Sequence, residues 1–239
     1  MSIDYFVLSR SSEYGYTGIS HEENSHYIEQ YDLKSGIREI LFSWKNLCFL
    51  ASQGSDRVHI NHILPSPDGN SFIFIFRYWL SGKRYDSLIF FDLLARKLKV
   101  IIENQTISHY AWYSNKKIFA WIVSGGIPGY YIIQLDEKTT TLVLDMVDGH
   151  PNYLGRNAFI SDFSSYSLFS KHLVTAFMID IEKKSKKDLV SISHQTLIRS
   201  ENRCDMHISL SHSNRFFQLD SMHLYNRRSV IVSKFGGHV

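Results

Sequence analysis

A chain of 239 residues with 44% hydrophobic and 14% aromatic residues carries enough apolar mass for one sizeable domain or two small ones. That composition excludes a mainly disordered chain. A net charge of +3, from 26 basic against 23 acidic side chains, is too balanced to point to nucleic acid as a partner. No apolar run approaches the roughly 18 residues a membrane span needs. Met1-Ser2-Ile3-Asp4 opens no secretory signal, and Cys48 and Cys204 stand apart from any disulfide or zinc pattern, so a cytoplasmic location is expected.

Taken in order, the chain alternates apolar and polar residues far more often than it shows helical spacing. Tyr5–Leu8 reads as a strand and Ser9–Asn24 as a polar loop. His26–Leu33 and Ile37–Phe42 then form a hairpin about Lys34-Ser35-Gly36. Asn61–Ser66 and Phe72–Tyr78 flank Ser66-Pro67-Asp68-Gly69, where Pro67 pre-sets φ, Asp68 accepts from turn amides and Gly69 takes the positive φ. Leu88–Leu93 and Lys97–Ile102 make the next hairpin. Ile107–Trp112 and Lys117–Ile122 precede the hairpin Tyr130–Asp136 with Thr140–Leu144. His150–Leu154 and Ala158–Asp162 precede Val174–Ile181 with Leu189–Ile192. Cys204–Leu210, Phe216–Asp220 and Ser229–Val232 end the series. The dense basic run Lys183-Lys184-Ser185-Lys186-Lys187 is a solvated turn.

A marker aspartate closes one strand of each hairpin: Asp32, Asp92, Asp136 and Asp180, separated by 60, 44 and 44 residues. Four short strands recurring every 40–50 residues or so are the signature of a β-propeller, because one four-stranded blade cannot bury both its faces alone. The expected fold is all-β: four-stranded antiparallel blades in a single domain, residues 1–239, with four to five blades present. The divisions are a partial blade over 1–58, blades over 59–104, 105–147 and 148–200, and a partial blade over 201–239. Trp79, Trp112, Trp121, Tyr130 and Tyr131 are expected between blades, with stacking on sugar rings as the alternative use.

Histidines punctuate the first strands of successive units: His62, His109, His150 and His207, with His223 at a second-strand end. First strands lie nearest a propeller axis, so these side chains would converge on one mouth. Neutral imidazole is the commonest protein ligand for divalent transition metals. The alternative use, a core histidine satisfied by a backbone carbonyl, stays open at each position. Arg203, Asp205, Arg227 and Arg228 flank the last histidines, and Arg forks suit an anionic ligand. No GxSxG, P-loop, strand-to-helix GxGxxG or HExxH is present.

The ordered set Asn61-His62-Ile63, Ser108-His109-Tyr110-Ala111-Trp112, Asp148-Gly149-His150-Pro151, Arg203-Cys204-Asp205-Met206-His207 and Asp220-Ser221-Met222-His223 resembles the TolB-like, WD40-like propellers related to oligogalacturonate lyase. Members are often encoded near bacterial glycosyltransferase and surface-polysaccharide genes. The resemblance implies a seven-bladed ring and, in the lyase branch, a manganese-like metal held by histidines and a glutamine. There the metal polarises a uronate carboxylate and an arginine abstracts the C5 proton. Carried over residue by residue, it makes His109, His150, His207 and His223 metal candidates and Arg203 the base. His62, Asp205, Arg227 and Arg228 become ligand contacts. The sequence departs from the family where Gln-x-x-His-x-His is expected, showing only His207 there. Ser211-His212-Ser213-Asn214 stands in place of a Ser-Pro-Asp-Gly turn.

Two readings follow. In the first, an acidic oligosaccharide binds a His-lined axial site. In the second, the chain is a non-catalytic scaffold for polysaccharide-assembly proteins, or a truncated remnant. A second copy completing the ring is expected where the blades fall short of closure.

Overall fold

The computed structural model describes residues 5–10, 27–51, 55, 57–165, 172–194, 205–221 and 229–235. The chain folds as two compact units, Met1–Ile107 and Ser108–Val239. Among the described residues, the strands pair antiparallel. Among the described residues, no helix is long and apolar enough to cross a membrane.

The first unit opens with a three-stranded sheet of β1 (Tyr5–Arg10), β2 (Tyr27–Asp32) and β3 (Arg38–Ser43). A short 3-10 helix, Trp44–Leu50, follows, an element the strand alternation did not reveal. A blade of β4 (Arg57–Pro65), β5 (Ser71–Leu80), β6 (Lys83–Asp92) and the first part of β7 (Lys97–Ser114) completes the unit. The unbroken apolar run of β5 means burial on both faces. Phe72, Phe74, Phe76 and Tyr78 alternate onto one face, where Phe42, Ile28 and Leu47 join them. Phe42 lies 5.1 Å from Phe91 and 5.5 Å from Phe74 between ring centroids. Arg77, on the other face, is 2% exposed, and its Nε donates to Asp86 Oδ1 at 3.1 Å.

Sequence alternation divides residues 97–112 into two strands, but β7 runs through without interruption. No Gly or Pro interrupts Glu103-Asn104-Gln105-Thr106, and the strand bends instead at Asn104, with φ of 54°.

The second unit continues with the latter part of β7, β8 (Lys117–Ser124), β9 (Ile127–Gln134) and β10 (Thr140–Leu144). Next comes a four-stranded sheet of β11 (Asn152–Gly155), β12 (Ala158–Ser165), β13 (His172–Asp180) and β14 (Ser185–His194). A three-stranded sheet of β15 (Ser209–Leu210), β16 (Phe216–Ser221) and β17 (Ser229–Lys234) closes it. Neighbouring residues of β12 serve opposite faces. Phe159 stacks on Phe119 at 4.1 Å toward β8 and β9, whereas Ile160 packs with Met206, Ile208, Phe217 and Leu219. That is the blade-on-blade burial a propeller requires, and the fold is all-β with propeller blades.

The turns follow the sequence. Asp32 Oδ1 accepts from Lys34 and Ser35 N–H, Asp92 Oδ1 from Leu94 and Ala95, and Asp180 Oδ1 from Lys183. Ser211-His212-Ser213-Asn214 makes the same turn as Ser66-Pro67-Asp68-Gly69. Asn214 N–H donates to Ser211 O at 2.8 Å and Gly69 N–H to Ser66 O at 2.9 Å, with φ of 53° and 75°. Asparagine tolerates the left-handed region better than most residues, so it substitutes for glycine here.

Candidate metal centre

The site lies within the second unit. His109 sits in β7, but His150 and His207 stand just ahead of β11 and β15 rather than inside them. The sequence alternation would continue both strands over these histidines. The backbone departs because a side chain takes the amides that a ladder would use. Asp162, on β12, accepts the main-chain N–H of His150 on Oδ1 at 3.0 Å and that of Ile208 on Oδ2 at 3.1 Å. His207 adopts φ of 42°, a left-handed conformation that ends strand geometry at that residue.

Gly149 makes this approach feasible. A Cβ at that position would lie 1.5 Å from the carbonyl oxygen of Asp162, so only glycine lets the segment rest on β12.

The three imidazoles form a row. Ring centroids of His109 and His150 are 4.2 Å apart, and those of His150 and His207 are 4.5 Å apart. Each ring has a carboxylate on its Nδ1 side. His109 Nδ1 lies 3.1 and 3.2 Å from the two oxygens of Asp148, His150 Nδ1 lies 2.7 Å from Asp162 Oδ1, and His207 Nδ1 lies 3.9 Å from Asp220 Oδ2. His109 Nδ1 also has the Ser108 hydroxyl at 3.0 Å. An ionised carboxylate only accepts, so Nδ1 of His150 must carry the proton and donate to Asp162. Nε2 of His150 is then the nitrogen left for a ligand. The donor atoms of His150, Asp205 and His207 all lie within 4.8 Å of one another, a group able to hold a metal ion.

The electrostatics follow from burial and these pairings. Burial pushes the His150 imidazole down, but the Asp162 hydrogen bond and charge, with Asp205 and Asp148 behind them, more than offset this and hold it above its ordinary value. Burial pushes the Asp162 carboxyl up; the His150 hydrogen bond and charge and the two backbone amides win, leaving it below its ordinary value. Burial and the neighbouring His150 charge push His207 down, against Asp205, Asp162 and Asp220.

Of the residues marked in the sequence, the structure therefore brings together His109, His150, His207 and Asp205. His62 lies in the first unit, exposed, with φ of 55° at a register shift in β4. Arg203, His223, Arg227 and Arg228 lie outside the described residues. Asp148, Asp162 and Asp220 escaped the sequence reading as partners of the histidines. The Asp-Gly-His run at 148–150 held the one available signal, a glycine beside a ligand-type histidine.

No family model matches the sequence, and no curated protein matches it. Solved structures do match. The chain superposes on TolB from Acinetobacter baumannii with a TM-score of 0.56 at 16% identity, covering 90% of this chain and 47% of that one. The fold is that of β-propeller blades, as in TolB. An oligogalacturonate lyase in complex with manganese aligns with a TM-score of 0.54 at 12% identity, covering 88% of this chain and 72% of the lyase. The β-propeller domain of the Trilobed protease from Pyrococcus furiosus, described as having an open velcro topology, aligns at 0.56 and 11% identity over 97% and 65%. At these identities the likeness is one of fold, and the chain spans about half the length of TolB, 47%.

Proposed function

We propose that this chain is a saccharide-associated β-propeller in which His150, Asp205 and His207 hold a divalent, manganese-like metal at a site for an acidic sugar. The observation that carries the reading is the convergence of these two imidazoles and one carboxylate within 4.8 Å. The donor set suits the group: two imidazoles with one carboxylate bind first-row divalent ions and leave coordination positions open. Asp162 behind His150 is the outer carboxylate that such histidine ligands usually carry. The fold shared with a manganese-bound oligogalacturonate lyase supports both the metal and the sugar class.

When bound, a divalent cation supplies Lewis-acid polarisation of a carboxylate oxygen. The protein groups bind, orient and move the proton. His109, with Asp148 at its Nδ1 and its ring 4.2 Å from that of His150, stands beside the cluster as a further ligand or a proton carrier. Arg203 is assigned as the base that takes the C5 proton of a uronate in β-elimination. His223, Arg227 and Arg228 are assigned to the anionic sugar.

Metal analysis of the purified protein, coupled to an assay for unsaturated product from oligogalacturonate, tests this. Stoichiometric transition metal that disappears in the His150→Ala/His207→Ala variant, with product formed only by the wild type, is expected. A metal-free wild type whose folding is unchanged in the double variant would overturn it. That outcome leaves the scaffold reading.

A further inference from the structure

Asp162 has a side chain only 3% exposed, yet it contacts three donors from two separate stretches of chain. Its Oδ1 receives both the main-chain N–H and the Nδ1–H of His150, and its Oδ2 receives the main-chain N–H of Ile208, next to His207. Asn152 completes the tie from the other side: its Nδ2 donates to Ile208 O at 2.6 Å and to His150 O at 3.2 Å. The two segments that supply the cluster are thus fixed to each other through one carboxylate and one amide.

The first unit contains a comparable clasp. Asp86 Oδ2 accepts the main-chain N–H of Ile107 at 3.0 Å, and its Oδ1 accepts Arg77 Nε at 3.1 Å. A buried Asp tying down the amide of a later segment is therefore a recurrent device of this chain. What differs is the group on the other oxygen. At Asp86 it is a guanidinium, with no lone pair to offer a ligand. At Asp162 it is an imidazole, whose second nitrogen is left free by the bond.

Building on the metal-site reading above, we propose that Asp162 is the positioning residue of the His150–Asp205–His207 cluster. It fixes His150 as the Nδ1–H tautomer, so that Nε2 faces outward, and it sets the height of the chain at Ile208, so that Asp205 and His207 meet that nitrogen. The cluster is then assembled in the metal-free protein. Partners of this kind behind a ligating histidine usually contribute 10–100-fold or so to metal affinity.

The test uses Asp162→Asn, which keeps the shape. Oδ1 faces the main-chain N–H and Nδ1–H of His150 and Oδ2 faces the N–H of Ile208, so in either orientation the amide NH2 meets a main-chain N–H and the clasp is broken. Two quantities are read: Mn2+ and Zn2+ affinity by competition with a chelator, and the His150 tautomer by 15N NMR of metal-free protein at a pH where the ring is neutral. Asn152→Ala serves as the structural control, since it loosens the same two segments without touching the His150 ring. The expected result is metal affinity lowered about 10–100-fold in Asp162→Asn, a smaller loss in Asn152→Ala, and an Nδ1–H ring for His150 in the wild type. Wild-type affinity in a folded Asp162→Asn variant, or an Nε2–H ring in the wild type, overturns the proposal. If the wild type binds neither ion, the metal-site reading fails by itself, and the wild-type tautomer still decides the role of Asp162. If Asp162→Asn does not fold, the wild-type spectrum decides: an Nδ1–H ring supports the assignment and an Nε2–H ring overturns it.

Discussion

Asp162 and His150 form an ion-paired unit whose two members titrate away from their ordinary values in opposite directions. The sign of each contribution to the stability of the metal-free protein follows from linkage. The Asp162 carboxyl is lowered, so its contribution is present above the ordinary carboxylate range and disappears as pH falls through its lowered titration point. The His150 imidazole is raised, so its contribution is complete below the ordinary imidazole value of about 6.5 and disappears as pH rises through the raised one. His207 is lowered and works the other way, but at 60% exposure it contributes little. Urea midpoints of the metal-free protein measured across pH should therefore fall on both sides of a weakly acidic maximum. The His150→Gln variant should lose most of the alkaline fall. An alkaline limb equal in the variant and the wild type would show that another group produces it.

At the scale of the element, strands were legible wherever packing and local pattern agreed. The apolar run Phe72–Phe76 can only be a strand buried on both faces, and the Asp-closed hairpins place their turn acceptors where the spacing says. That β11 and β15 start only at Asn152 and Ser209 was not legible, because the competing amide partner, Asp162, comes from a different strand. The long β7 was hidden for a related reason: its two apolar stretches look like separate strands until the bend at Asn104 is seen. Stacking of Phe159 on Phe119 between two sheets makes a prediction at this scale. Phe159→Ala should cost about 3–5 kcal/mol, by loss of buried surface and the cavity left behind. Leu94→Ala, at a side chain 81% exposed, should change stability by less than about 0.5 kcal/mol. Chemical denaturation of both variants checks the pair, and equal costs would contradict the inter-sheet core.

For the whole molecule, the metal-site reading has a thermodynamic consequence separate from catalysis. An ion that binds only the folded protein stabilises it by mass action, by about 2.7 kcal/mol when present at 100 times its Kd. Addition of Mn2+ or Zn2+ to the full chain should raise the melting temperature, EDTA should reverse the rise, and His150→Ala should abolish it. A rise that persists in His150→Ala would move the ion elsewhere. Because the cluster draws its donors only from Ser108–Val239, the shift should be read in probes within that unit, such as the fluorescence of Trp112 and Trp121.

By itself the sequence determined the class of fold, the period of the blades and the residue types available for chemistry. Alternation, turn residues and the recurrence of Asp32, Asp92 and Asp180 are local properties, written within a few residues of where they act. Only the tertiary structure decided which of those residues meet. His150 and His207 are separated by 57 positions, and what unites them is a carboxylate on β12 and the missing side chain of Gly149. Such a contact leaves no periodic trace in the chain, because its energy comes from desolvated hydrogen bonds between distant strands rather than from a repeating apolar face.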